Sequence, residues 1–368
     1  MGKIIGIPVG IDYSWFLIFA LLTWLLATSY YPAEFSKWPV IQYWIVGGVT
    51  VILLFASVLL HELGHSVVAL RYKVPVRRIT LFIFGGVSEI TTEPPNAMAE
   101  FWIAIAGPVV SFLLAILFAL LEPVFSHQAP LLALAKYLSY INLALGIFNL
   151  LPGFPLDGGR VFRAIVWGIA HNFRRATFVA ANVGRLFAFL FILGGVWMIF
   201  TGNVGNGIWI AFTGWFLDSA ASAQIRQQNI HDLLGDRRVM DAMRHDYTVV
   251  DPGTTLEQLV TEHILGIGRR NLIVEQNGMV LGMLTLHEIK KIARPDWPNT
   301  IASQIMIPME KLKWVSPTTE LIDALGEMDR DGVSQLPVMV NGQIQGILGR
   351  DDVINFLRTI SEFSARKK

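Results

Sequence analysis

Leu59-Leu60-His61-Glu62-Leu63-Gly64-His65-Ser66-Val67-Val68 lies inside a run, Trp44–Leu70, that is otherwise almost free of ionisable groups. The run is long enough to cross a bilayer as a helix, where a charged side chain near the centre costs at least roughly 2.5–3.5 kcal/mol. His61, Glu62 and His65 therefore require a reason to be there. On a helix the two histidines, four apart, share a face and can direct both imidazoles at one metal ion. Glu62 sits beside them, where it can take a proton from a water. The pattern points to zinc-dependent hydrolysis within a membrane.

Composition sets the frame around this stretch. The 368-residue chain is 53% hydrophobic and only 15% charged, against roughly 25% charged residues in an average soluble protein. The apolar excess fills the first three-fifths of the chain, and the remainder has the composition of a soluble α/β module. Six segments have the length and apolarity of spans: 13–29, 42–70, 101–121, 131–151, 178–200 and 207–223. Pro32 and Pro152 punctuate the ends of the first and fourth. The expected architecture is a polytopic α-helical membrane domain of six transmembrane helices with a short membrane-associated β segment (1–225), then a linker (226–238). A soluble α/β pair (239–298 and 299–362) and a tail (363–368) complete it.

Basic residues fall in alternate loops: Arg71, Lys73, Arg77 and Arg78; Arg160, Arg163, Arg174 and Arg175; and Arg226. The positive-inside rule then puts both termini in the cytoplasm of a multi-pass cell-membrane protein. Nothing at the N-terminus reads as a cleavable leader. The absence of cysteine excludes disulfides and cysteine–zinc sites, and a net charge of +1 without a basic tract gives no reason to invoke nucleic acid.

A catalytic zinc usually has three protein ligands and a water. Candidates for the third are Asp157, Glu89, His171 and Asp218. Asp157 ends the string Asn149-Leu-Leu-Pro152-Gly-Phe-Pro155-Leu-Asp157, in which Pro152, Gly153 and Pro155 break a helix just before the carboxylate. Broken backbone at membrane depth is tolerated where it lines a polar cavity or is buried in protein. The residues alone leave Asp157 with two readings, metal ligand or cap of the next helix. His171, in a basic loop, reads as solvated. Arg185 reads as snorkelling or as paired with an acidic group. The β-rich segment Ile79–Ile90 is too short to span as a helix. It reads either as an edge for an unwound substrate strand or as a packed hairpin with a structural Gly85-Gly86 turn. Gly107-Pro108 reads as a helix-start and packing feature rather than a catalytic one.

Taken together, His61-Glu62-x-x-His65 in a span and Asn149…Pro152…Pro155-Leu156-Asp157-Gly158-Gly159-Arg160 resemble the site-2 protease family of intramembrane zinc metalloproteases. Phe84-Gly85-Gly86-Val87 and Ala106-Gly107-Pro108 match the family as well. The resemblance implies Zn2+ held by His61, His65 and Asp157, with Glu62 as general base and Asn149 steadying the oxyanion. It implies a membrane-anchored protein substrate, cut within or near its transmembrane helix in the lipid bilayer, with Gly85, Gly86 and Val87 receiving the opened strand. A transporter would want polar residues strung along several spans, whereas here they cluster at one depth. A silent scaffold would have no need of Glu62.

The C-terminal portion repeats itself. Arg270–Ile289 aligns without gaps on Ser334–Val353, and each copy carries an Asn-Gly hairpin turn, at 277–278 and 341–342. Each unit reads helix, strand, strand, helix. This is similar to a tandem pair of CBS domains, a resemblance that implies clefts for ATP, ADP or AMP, or else a docking module or homodimer without ligand. Against the family's nucleotide pattern, the first copy keeps Gly282 and Thr285 but has Glu288 in place of Asp. The second keeps Gly346 and Asp352 but has Gly349 in place of Thr. The loops between spans leave no room for an inserted PDZ domain, so the CBS pair is the expected regulatory element.

Overall fold

Hydrocarbon offers the backbone no hydrogen-bond partner, so an apolar segment that crosses it must satisfy its own amides as a helix. In the computed structural model, which describes residues 2–90, 92–235, 237–266 and 271–365, five stretches meet that requirement by length and apolarity. They are Ser14–Glu34, α3 (Val40–Arg71), α4 (Ala97–Val124), α5 (Ala129–Asn149) and α7 (Phe173–Phe200). The first is built of α1 (Ser14–Leu25), a π-helical turn over Leu26–Tyr30, and α2 (Tyr31–Glu34). Pro32, expected to end this span, instead lies in the first turn of α2. The π-helical turn just before it changes the hydrogen-bond register, and Pro32, which brings no N–H to it, stands there while the helix continues to Glu34. The sixth expected segment falls within α8 (Val204–Leu234), which does not meet the same criterion. A short helix, α6 (Asp157–Ala170), follows the proline-broken loop.

Two compositions alternate around these helices. Leu113, Ile116, Leu117 and Leu120 of α4 and Leu186, Phe189, Leu190 and Trp197 of α7 are exposed, the surface a lipid solvent would cover. Between helices many of the buried residues are small, among them Ala99, Ala104 and Ala115 on α4, and Ala176, Ala180, Ala181 and Ala188 on α7. Small side chains let helix axes approach closely, which is how helices associate where lipid removes the hydrophobic drive.

Four strands accompany the helices, in the order β1 (Gly2–Ile4), β2 (Ile7–Ile11), β3 (Val76–Phe82), β4 (Gly85–Ile90). The expected β segment is the β3–β4 hairpin, and β2 runs parallel to β3 with Val9 opposite Ile79. The β1–β2 hairpin was not expected. Its turn places Ile5 and Gly6 at φ 51° and 80°, and isoleucine is not a residue that announces a left-handed turn position.

The chain divides into two compact units, Met1–Arg226 and Gln227–Lys368. The second contains β5 (Val249–Val250), β6 (Asn271–Gln276), β7 (Met279–Thr285) and β8 (Ile307–Pro308) in one sheet, and β9 (Gln335–Val340) with β10 (Gln343–Gly349) in another. The two Asn-Gly turns close β6–β7 and β9–β10, with Asn277, Gly278, Asn341 and Gly342 all at positive φ, as a two-residue hairpin turn of this type requires. Helices flank the hairpins, over Leu256–Gln258 and Leu286–Ile289 in the first copy and Leu321–Asp331 and Arg350–Ala365 in the second. The copies exchange their leading segments. Arg244 trades both backbone hydrogen bonds with Ile347 of β10, at 2.9 Å each, while β8 pairs with Gly282 and Met283 of β7. Arg270 of the repeat, position 236 of the linker and the tail end 366–368 lie outside the described residues.

Candidate metal centre

The centre forms where α3 and α4 cross. His61 and His65 project from one face of α3, each 4% exposed. Their rings are held from behind by α4. His65 Nδ1 lies 2.7 Å from the Ile103 carbonyl oxygen, and His61 Nδ1 lies 2.8 Å from Ser111 Oγ. A carbonyl only accepts, so His65 donates from Nδ1 and presents the lone pair of Nε2. Ser111 Oγ can accept from His61 Nδ1, and in that tautomer His61 presents its Nε2 as well.

Asp157, the first residue of α6, completes the group. Its Oδ2 lies 3.1 Å from His61 Nε2 and 3.2 Å from His65 Nε2, and the two Nε2 atoms are 3.2 Å apart. Three acceptor atoms thus converge with their lone pairs turned toward one another. A cation among them satisfies all three. Ligand atoms around tetrahedral zinc, each about 2.0–2.1 Å from the ion, are separated by about 3.3 Å, which is the spacing seen here. Two imidazoles, one carboxylate and an open fourth position are the donor set of a catalytic zinc site. The residues fit that ion. The cap position of α6 is held by Leu156, and the hydrogen-bond contacts of Asp157 Oδ2 run to the two histidines.

Close approach at this crossing depends on two glycines. A Cβ on Gly107 would stand 2.2 Å from His65 Nε2 and 2.6 Å from His61 Nε2. One on Gly64 would stand 2.9 Å from Val110 Cγ2 and 3.0 Å from the Ala106 oxygen. Gly107 and Pro108 are therefore a packing feature, as expected, but not a helix start, since α4 begins at Ala97. Gly107 leaves the space in front of the rings open. The loop that delivers Asp157 is equally close-wound: a Cβ on Gly158 would meet Leu150 backbone at 2.3 Å, and one on Gly159 would meet Gly153 backbone at 2.3 Å.

Glu62 leaves α3 toward β4. Its Oε2 accepts from Ser88 Oγ at 2.8 Å, and its Cγ would lie 2.7 Å from a Cβ on Gly86. Ser66 donates to the Glu62 carbonyl at 2.8 Å. Gly86 and Ser88 thus seat the carboxylate against the strand. Gly85, Gly86 and Val87 lie on β4, which among the described residues pairs with β3 on one side only, and Val87 is exposed. Asn149 ends α5, where its Nδ2 donates to the Leu145 carbonyl at 3.1 Å.

The other candidate ligands are engaged elsewhere. Glu89 pairs with Arg78 at 2.7 Å, Asp218 pairs with Arg185 at 3.0 Å, and His171 is exposed at the left-handed end of α6. Arg185 accordingly pairs with a carboxylate, one of its two readings. In the second unit, Thr285 precedes the helix over Leu286–Ile289. Asp352 accepts from Gly349 N–H at 2.8 Å through Oδ2 and from Arg244 Nε at 2.8 Å through Oδ1. Gly282 and Gly346 serve the segment exchange, because a Cβ there would lie 2.3 Å from Ile307 oxygen and 2.5 Å from Arg244 oxygen.

Sequence reasoning missed Ser88, Ser111 and the Ile103 carbonyl. Ile103, Gly107 and Ser111 recur at helical spacing on α4, but such a stripe of small residues does not by itself mark a metal site.

Comparison with known proteins adds the following. The profile of Peptidase family M50 matches residues 49–128 and 124–193, and that of the CBS domain matches residues 239–294 and 302–359. The Synechocystis protein sll0528, which carries a provisional zinc-metalloprotease name, is 32% identical over 98% of this chain and 95% of its own length. Rip3 of Mycobacterium tuberculosis, provisionally named in the same way, is 32% identical over 97% of this chain and 92% of its own. Among solved structures, the site-2 protease from Methanocaldococcus jannaschii is 32% identical, with a TM-score of 0.44 over 61% of this chain and 94% of that one.

Proposed function

The chain belongs to peptidase family M50, the site-2 protease family, and carries C-terminal CBS domains; from that premise we propose that it is an intramembrane zinc endopeptidase. It cuts a membrane-anchored protein within or near its transmembrane helix. The observation that carries the reading is the convergence of His61, His65 and Asp157 on one point, with the Glu62 carboxylate one residue from the first of them.

His61, His65 and Asp157 would hold the ion. When bound, zinc supplies an acidified water and a polarised scissile carbonyl. Glu62 takes the proton of the attacking water and returns it to the nitrogen of the departing amine, with Ser88 fixing the carboxylate between the two transfers. Asn149 donates its amide N–H to the oxygen that becomes anionic, adding no charge to a site of low dielectric. That role requires its Nδ2 to turn from the Leu145 carbonyl. Ile103 and Ser111 keep both imidazoles in the tautomer the site needs.

Peptide bonds in a helix are shielded by their own hydrogen bonds, so the substrate must open. The unpaired edge of β4 at Gly85, Gly86 and Val87 can accept it as an added strand, beside the Glu62 carboxylate. Six spans, counting 207–223, and cytoplasmic termini complete the reading, with the cut fragment released to the cytosol. The CBS pair modulates activity by binding ATP, ADP or AMP through Thr285 and Asp352, or joins two copies of the chain. A ribose at Asp352 would have to compete with Arg244.

The test is cleavage of a tagged single-span substrate by the purified chain in detergent, as wild type, as Glu62→Gln and after chelation. Zinc-restorable cleavage that the variant lacks supports the proposal. Cleavage by Glu62→Gln at the wild-type rate with zinc bound would refute the base role.

A further inference from the structure

Beneath the metal centre lies an ion pair that the chemistry above does not use. Glu100 on α4 is fully buried and Arg163 on α6 is 7% exposed. Arg163 Nε donates to Glu100 Oε1 at 2.7 Å and Nη2 donates to the same oxygen. The guanidinium also stands over two aromatic rings, 4.9 Å from the centre of Phe154 and 4.6 Å from that of Phe173, and Nη1 reaches Thr177 Oγ1 at 3.5 Å. One side chain thereby ties together α4, α7, the loop before α6 and α6 itself.

The placement of both partners relates this pair to the ligands. Glu100, Ile103, Gly107 and Ser111 form a single stripe along α4 at helical spacing, so the residue that holds Arg163 lies one turn from the carbonyl that holds His65. Arg163 lies six residues along α6 from Asp157, and Phe154 lies three residues before it on the other side. The histidines come from α3 and are registered by α4. Asp157 comes from a different helix, α6, which packs on α4 and is joined to it by this pair.

We infer that the buried Arg163–Glu100 pair is a positioning clamp that sets Asp157 at ligand distance from His61 and His65. This inference rests on the reading that these three residues bind zinc. Arginine suits the task because its planar fork meets a carboxylate and stacks on aromatic faces at once, which lysine cannot do. Asp157 itself can touch the metal, and Arg163 acts only through it.

The test measures zinc affinity of the full chain in detergent by competition with a chelating dye, alongside its thermal transition. The informative variant is Arg163→Met/Glu100→Leu, which removes both charges while nearly keeping volume, since well-packed hydrophobic replacements for a buried pair are often tolerated. It is compared with Asp157→Asn and with the combination of all three changes. The clamp predicts a loss of zinc affinity on the order of tenfold for the neutral pair, the low end of what supporting residues contribute. It also predicts almost no further loss when the neutral pair is added to Asp157→Asn, because the ligand it positions is already gone. Arg163→Lys should recover part of the affinity. Equal losses in the presence and absence of Asp157, or unchanged affinity in the neutral pair, would overturn the clamp. A wild-type chain that takes up no zinc would overturn the metal-site reading and the clamp with it.

Discussion

The two units treat their singled-out polar residues in opposite ways. In the membrane unit, His61, His65 and Asp157 turn three acceptor atoms toward one another and leave them for a cation to satisfy. In the second unit, Asp352 is satisfied from within, by Arg244 and by the Gly349 N–H. The glycines differ in the same sense. Gly107 keeps space open in front of two rings, while Gly282 and Gly346 let two backbones close on each other. A site built for something outside the chain leaves groups unanswered by the chain. A motif whose members answer one another can be maintained by folding alone.

The largest effect expected from this contrast comes from filling the open space. Gly107→Ala places a methyl 2.2 Å from His65 Nε2, on a helix that cannot easily retreat. It should abolish stoichiometric zinc binding, measured by metal analysis of the purified protein, while leaving the thermal transition of the second unit unchanged. Glu62→Gln sharpens the point, because it keeps the ligands and removes only the base. Zinc content should stay at the wild-type level while the cleavage rate falls by about 10²–10⁴-fold, the usual contribution of a positioned acid or base.

Closing the other kind of gap should affect stability rather than metal. Gly346→Ala forces a methyl against the Arg244 oxygen at 2.5 Å, and overpacking of this kind costs about 1–3 kcal/mol. A lowered thermal transition of the second unit with unaltered zinc content is the expected pair of results. The smallest effect concerns Arg244. Removing its guanidinium by Arg244→Ala frees one Asp352 oxygen, so a cleft that binds ATP should bind it more tightly in this variant by calorimetry of the full chain. No heat from either protein at millimolar ATP would leave the CBS pair as a docking module.

Much of this was legible before any coordinates. A bilayer forces apolar segments into helices, so the positions of α3, α4, α5 and α7 follow from composition, and the Asn-Gly pairs announce both hairpins of the repeat. His61 and His65 were legible because their spacing and their setting are both improbable without a metal. Asp157 was not decided by local sequence, since a carboxylate at a helix start serves equally as a cap. Only its placement 3.1 Å from His61 Nε2, across 96 residues of chain, favours one over the other. Ser88 and Ser111 were illegible for a related reason. A serine acquires its meaning from the helix or strand that crosses it, and crossings are set by packing. Pro32 misled because a proline that ends one helix can equally begin the next, and the π-helical turn before it supplies that option.

The central claim is that His61, His65 and Asp157 bind the ion that does the hydrolysis. Zinc K-edge absorption of the purified full chain addresses it most directly. The account predicts about one zinc per chain, with two imidazoles and the remaining oxygen ligands at about 2.0–2.2 Å, and loss of one imidazole in His65→Ala. A chain that binds no zinc, or a spectrum that His65→Ala and Asp157→Asn leave unchanged, would contradict it.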